Sequence, residues 1–95
     1  MIVKICGVKT FETAIHALEA GADMLGFNFY PPSPRHVSVA VAGEIAAALP
    51  AAVAKVGVFV DETFDNIMRT DRSVRLNAIQ LHGTESPQLM EKRFH

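Results

Sequence analysis

Residues 2–30 read IVKICGVKTFETAIHALEAGADMLGFNFY. The apolar run at 2–6 is rich in β-branched residues and stops at Gly7, as a strand should. Phe11, Ala14, Ile15 and Leu18 then fall at i, i+3, i+4 and i+7, the spacing of one helix face, with Thr10 as N-cap and Gly21 just past the end. A second strand-like run occupies 24–30. Strand, helix and strand in so short a span predict a βαβ unit, hence parallel strands covered by helices.

The same alternation continues. Val41, Ile45 and Leu49 form a second apolar stripe, begun near Ser38 and ended by Pro50. A third strand is expected at 56–60 and a third helix from Phe64, Ile67 and Met68, behind Asp61 or Thr63 as cap. A fourth strand is expected at 78–81. Ser86-Pro87 then signals a fourth helix, with proline in the first turn, where its missing N–H costs nothing; that helix reaches His95 after barely two turns. The predicted order is β-α-β-α-β-α-β-α in a single domain spanning 1–95, without linker, low-complexity tract or charge block.

The 95 residues limit the chain to one domain. With 49% hydrophobic and 20% charged residues it has globular composition rather than that of a disordered chain. Nine Lys and Arg against ten Asp and Glu give a net charge of −1, so no broad basic surface advertises nucleic acid or anionic lipid. The longest apolar runs are too short to span a bilayer. A lone cysteine excludes an internal disulfide framework. With no secretion-signal pattern at Met1–Ile5, the expected setting is soluble, reducing and cytoplasmic, without nucleic-acid or membrane partners.

Alternation along the strands supplies the functional clue. Lys4 and Cys6 share one face of the first strand, and Gln80 and His82 share one face of the fourth. Parallel strands usually read as apolar on both faces, so these polar residues need a reason. All but Lys4 lie toward carboxyl strand ends, where α/β folds keep their ligands. Cys6 there is either a nucleophile or base, if its thiolate is populated near neutral pH, or a small buried hydrophobe. Arg35, on the stiff loop Pro31-Pro32-Ser33-Pro34, is either a fork for a carboxylate or phosphate or a plain surface arginine, with His36 beside it. His82 is either a proton-transfer or hydrogen-bonding group or a histidine satisfied by a backbone carbonyl. Asp61 reads equally as helix cap or ligand contact. Arg69, Arg72 and Arg75, with Asp71 among them, read as a solvated helix face. A metal site from Cys6, Asp61 and His82 matches no ligand spacing.

The motifs Lys4-Ile5-Cys6-Gly7, Gly21-Ala22-Asp23, Gly26-Phe27-Asn28-Phe29, Ser33-Pro34-Arg35-His36-Val37-Ser38, Val56-Gly57-Val58-Phe59-Val60 and Gln80-Leu81-His82-Gly83-Thr84-Glu85 follow in order. Together, across nearly the whole chain, this pattern resembles the phosphoribosylanthranilate isomerases of tryptophan biosynthesis, an aromatic amino-acid pathway. The resemblance implies a (β/α)8 barrel of which this chain holds the first four βα units. It implies an Amadori rearrangement of N-(5-phosphoribosyl)anthranilate to 1-(2-carboxyphenylamino)-1-deoxyribulose 5-phosphate. No cofactor is implied, since the protonated imine is itself the electron sink. Cys6 corresponds to the general base, Arg35 to the contact with the anthranilate carboxylate, and Gln80 and His82 to pocket-lining positions.

The family's general acid, an aspartate of strand five, and its phosphate-binding loops after strands seven and eight have no counterpart in this sequence. The chain alone is therefore expected to be nearly inactive. Strands one and four are expected to be open edges, so the chain is expected to be either a truncated N-terminal half or part of an assembly that closes the sheet, by self-association or with a complementing C-terminal half. Three other readings compete with this one. The first is a non-catalytic, self-associating half-barrel that binds an aromatic carboxylate through Arg35. The others are another phosphosugar barrel enzyme such as an epimerase, and a small open flavodoxin-like sheet.

Overall fold

The structure, a computed structural model, describes residues 2–82 and 88–91, with side chains through residue 81. The elements are β1 (Lys4–Cys6), α1 (Phe11–Glu19), β2 (Met24–Asn28), α2 (Val39–Ala48), β3 (Ala54–Val60), α3 (Phe64–Val74), β4 (Ala78–His82) and β5 (Gln88–Glu91). They form one sheet in the order β1-β2-β3-β4-β5. The first four strands are mutually parallel, each joined to the next through a helix. The expected half barrel of parallel strands is what forms.

Helix starts and stops follow the residues that sequence reading picked out. The hydroxyl oxygens of Thr10, Ser38 and Thr63 each accept from the backbone N–H three residues on, supplying partners to otherwise orphaned donors. Thr63, not Asp61, is therefore the cap of α3. Gly21 takes φ +91° just beyond α1, a conformation that strains residues carrying a Cβ. β2 ends two residues earlier than expected because the Asn28 side chain turns back to accept from the Tyr30 N–H at 2.8 Å.

Register sorts the sheet into two faces. Ile5, Leu25, Phe27, Phe59 and Ile79 share the face covered by helices, and most of them are buried in the core with Leu76. Phe29 and Phe59 stack there with centroids 5.3 Å apart. Burying a side chain of this size stabilises the fold by about 1.5–3 kcal/mol. Lys4, Cys6, Gly26, Val56, Val58 and Gln80 share the opposite face. Across it, Lys4 Nζ donates to Gln80 Oε1, joining β1 to β4. Three strand spacings amount to about 14 Å on a flat sheet, so this contact requires a sheet curved toward that face. The arrangement is a barrel arc with its hollow on the Lys4 side.

Three expectations need correction. The segment Gln88–Glu91, expected to lie in a fourth helix, is a strand antiparallel to β4, pairing from Leu81↔Gln88 to Ala78↔Glu91. Ser86-Pro87, the expected helix start, lies outside the described residues. An isolated two-turn helix is marginal, whereas pairing satisfies the polar groups along an open strand edge. The edges of the sheet are consequently β1 and β5 rather than β1 and β4.

The apolar stripe of α1 is also only partly buried. Ala14 is enclosed, but Phe11 is 48% and Ile15 36% exposed, on the helix nearest the free β1 edge. Finally, Asp71 is not part of a solvated face. It is fully buried, and its Oδ1 accepts from the Leu76 N–H at 3.1 Å, bracing the turn from α3 into β4.

Candidate active site at the carboxyl mouth

Cys6 is the last residue of β1, a free and exposed thiol on the hollow face. Its neighbour in register, Gly26, explains how the sulfur is seated. A Cβ on Gly26 would sit 2.9 Å from Cys6 Sγ, so the thiol lies over a surface that only glycine leaves open. The chain then turns at Gly7, with φ +83°, and the N–H groups of Gly7 and Val8 both donate to Gly26 O at 3.1 Å. The end of β1 is thereby fastened to β2.

Arg35 reaches the same spot from the loop after β2. A Cβ on Gly7 would lie 3.0 Å from Arg35 Cδ, so the arginine stem crosses the backbone immediately beside Cys6. That loop is held from within and from without. Ser33 Oγ accepts from the Arg35 N–H at 3.1 Å, the His36 N–H donates to Ser33 O at 3.1 Å, and Val37 N–H donates to Asn28 O at 2.9 Å. Lys9, on the loop after β1, donates from Nζ to Pro34 O at 3.0 Å. The Arg35 stem and the turn that follows Cys6, distant in sequence, thus meet at a glycine.

Gln80 stands on the hollow face of β4, half-buried and accepting from Lys4. His82 closes β4 in register with Val60; its side chain lies outside the described residues. Lys4 is the participant that sequence reading set aside, because it lies below the strand end; its shared face with Cys6 was the available signal. Gly26, two residues into a strand interior, was the other missed contributor. His36 is half-buried and lines a separate cleft of about 370 Å³ on the helical side with Phe29, Phe59, Glu62 and Arg69.

Asp61 ends up exposed at the end of β3, in the left-handed region at φ 47°. The exposed Glu62 carboxyl beside it is held below the usual glutamate value of 4.5. The Asn66 side-chain amide, donating at 2.9 Å, is the larger cause, and the Thr63 N–H, donating at 2.8 Å, adds to it. These groups organise the start of α3, away from the β1–β2 mouth.

A curved parallel sheet, an outer helical layer and polar side chains gathered at carboxyl strand ends define the first half of a (β/α)-barrel enzyme fold. Comparison with known proteins is specific about which one. The family model for N-(5′-phosphoribosyl)anthranilate (PRA) isomerase matches residues 3–95, and the chain belongs to that family. The isomerase of Oceanobacillus iheyensis is 50% identical over 86 residues, covering 90% of this chain and 42% of the relative. That of Thermotoga maritima is 47% identical over 90 residues, covering 95% and 44%.

Among solved structures, the Thermotoga maritima isomerase superposes with a TM-score of 0.85 at 47% identity, over 90% of this chain and 42% of its own. The Thermus thermophilus isomerase gives 0.84 at 41%, over 90% and 43%. A phosphoribosyl anthranilate isomerase bound to reduced 1-(o-carboxyphenylamino)-1-deoxyribulose 5-phosphate gives 0.85 at 47%, over 90% and 45%. The chain therefore spans less than half the length of the relatives it matches.

Proposed function

We propose that this chain supplies the N-terminal half of a phosphoribosylanthranilate isomerase active site, serving tryptophan biosynthesis in the cytoplasm. The observation that carries the reading is the contact of Arg35 with Gly7 beside the exposed thiol of Cys6. A base and an anion-binding fork at one strand end suit a substrate whose reacting carbon lies near a carboxylate. A solved relative whose bound ligand is a reduced carboxyphenylamino-deoxyribulose phosphate adds support. Among the described residues no helix is long and apolar enough to cross a membrane.

In this reading Arg35 pairs with the anthranilate carboxylate through its forked donors. That pairing orients the ring-opened, protonated imine with its C2–H toward Cys6. The thiolate takes the C2 proton, and the C–H electrons move into the iminium to give a neutral enolamine. Protonation at C1 and loss of the enol proton then leave the 2-ketose. Gln80, held by Lys4, lines the pocket, and the family resemblance gives His82 a place in it as well.

The proton donor to the ring oxygen and the phosphate site belong to the half of the barrel beyond the matched region. Positioned acid–base groups contribute roughly 10²–10⁴-fold each, and remote phosphate contacts contribute binding energy used at the reacting centre. The 95-residue chain by itself is accordingly nearly inactive, and a complementing half restores turnover. Assaying the purified chain for loss of phosphoribosylanthranilate fluorescence tests this: near-normal turnover from the chain alone overturns it.

A further inference from the structure

We propose that Lys9 is a positioning residue for substrate recognition: its ammonium fixes the loop that carries Arg35, so that the Arg35 fork meets a carboxylate from one set direction. The inference rests on the proposed function, which gives Arg35 the anthranilate carboxylate, and adds what holds that arginine in place.

The segment 31–35 is poor in donors of its own. Pro31, Pro32 and Pro34 carry no N–H. The two amides left are both used locally: Ser33 N–H donates to Tyr30 O at 3.0 Å, and Arg35 N–H to Ser33 Oγ at 3.1 Å. The Val37 N–H fastens the exit of the loop to Asn28 O at 2.9 Å, on the strand from which the loop departs. A hydrogen bond to the neighbouring loop after β1 therefore has to be donated from the β1 side. Lys9 supplies it, from Nζ to Pro34 O at 3.0 Å.

The root of that lysine is held on both sides. Before it, the Gly7 and Val8 N–H groups both donate to Gly26 O, and Val8 is fully buried. After it, the Thr10 hydroxyl caps α1. The loop after β1 thus meets the loop after β2 at two adjacent points. Gly7 receives the Arg35 stem, and Lys9 holds the carbonyl of the residue before it. One contact alone leaves a loop free to swing about it, whereas two fix the direction in which Arg35 leaves the backbone. Direction matters because a guanidinium binds a carboxylate through two parallel hydrogen bonds, which a displaced fork cannot make.

An isotope-labelled sample of the chain titrated with anthranilate tests this by NMR. The Arg35 Nε–H signal reports the carboxylate, and backbone order parameters at Arg35 and His36 report the loop. Anthranilate should move the Arg35 signal to saturation. Lys9→Met should weaken anthranilate binding roughly 3–10-fold, the span that one net hydrogen bond supports, and should lower both order parameters. Lys9→Arg, which keeps a charged donor, should restore affinity and order. In an Arg35→Lys background, which keeps the charge but loses the fork, Lys9→Met should cost about twofold or less.

A Lys9→Met chain that keeps either wild-type affinity or wild-type loop order overturns the proposal. So does a loss of equal size in the Arg35→Lys background, which would place Lys9 on the carboxylate itself. If anthranilate leaves the wild-type Arg35 signal unmoved while Lys9→Met still loosens the loop, Lys9 remains the tie and the proposed role of Arg35 fails. If anthranilate moves that signal with equal affinity in both chains, the role of Arg35 stands and that of Lys9 fails.

Discussion

Gly26→Ala probes the seating of the proposed base. The added methyl would lie 2.9 Å from Cys6 Sγ and 3.3 Å from Cys6 Cα. Comfortable non-bonded separation is about 3.5–4.0 Å, so the sulfur has to retreat by roughly 0.6–1.1 Å. A displacement of about 1 Å at reacting atoms can cost on the order of 10²-fold in rate, equivalent to about 2.7 kcal/mol of barrel-site transition-state stabilisation. Folding should hardly suffer. Alanine is favoured over glycine in a strand interior by about 0.5–1 kcal/mol, which offsets much of the crowding.

The variant should therefore lose activity without losing stability. The assay is steady-state turnover of phosphoribosylanthranilate by the chain assembled with a C-terminal half, beside thermal denaturation of the chain alone. A kcat reduced about 10–100-fold with an unchanged melting curve is the expected pair of results. A kcat within about twofold of wild type would refute the idea that this glycine seats the catalytic sulfur.

Gly7→Ala should cost about 1–2 kcal/mol through its φ of +83°, and should also push the Arg35 stem aside, raising KM for the carboxylate-bearing substrate; kinetics and denaturation together check both effects. Gly57→Ala should destabilise by about 1–3 kcal/mol, because the new methyl would meet Leu76 Cδ1 at 2.5 Å and Phe59 Cε2 at 2.9 Å in a closed core; for a domain of this size each kcal/mol lowers Tm by about 4–8 °C. Asn66→Ala should return Glu62 toward ordinary glutamate titration, followed by carboxyl-carbon NMR. Because the folded-state value is depressed, this carboxylate's contribution to stability is present above pH 4.5 and fades as pH falls through the folded value; the variant should weaken that dependence, keeping only the part that the Thr63 N–H supplies.

Local chemistry was readable from residues close together in sequence. Thr10, Ser38, Thr63 and Gly21 mark helix ends because a capping oxygen or a left-handed glycine acts within a few residues. That the Arg35 loop comes down on the turn after Cys6 was also foreseeable, since the two loops follow the carboxyl ends of neighbouring parallel strands. What escaped prediction depends on distant parts of the chain. The Lys4–Gln80 bond needs a curved sheet to bring β1 near β4, and curvature has no signature in a single strand. Asp71 is drawn inward by the backbone of Leu76, five residues on, while its flanking arginines stay outside.

The segment 88–91 misled for a related reason: its composition favours a helix, but the free edge of β4 outweighs that preference. Phe11 and Ile15 stay partly exposed because α1 stands at the rim of the arc. Their apolar spacing describes a helix with neighbours on both sides.

The most direct measurement is turnover of phosphoribosylanthranilate by three samples: the chain alone, the chain mixed with a C-terminal half, and the same mixture carrying Cys6→Ala. Turnover should be nearly absent in the first, restored in the second and lost again in the third. Substantial activity from the unaccompanied chain, or restored activity that survives removal of the thiol, would contradict a half-site built around Cys6.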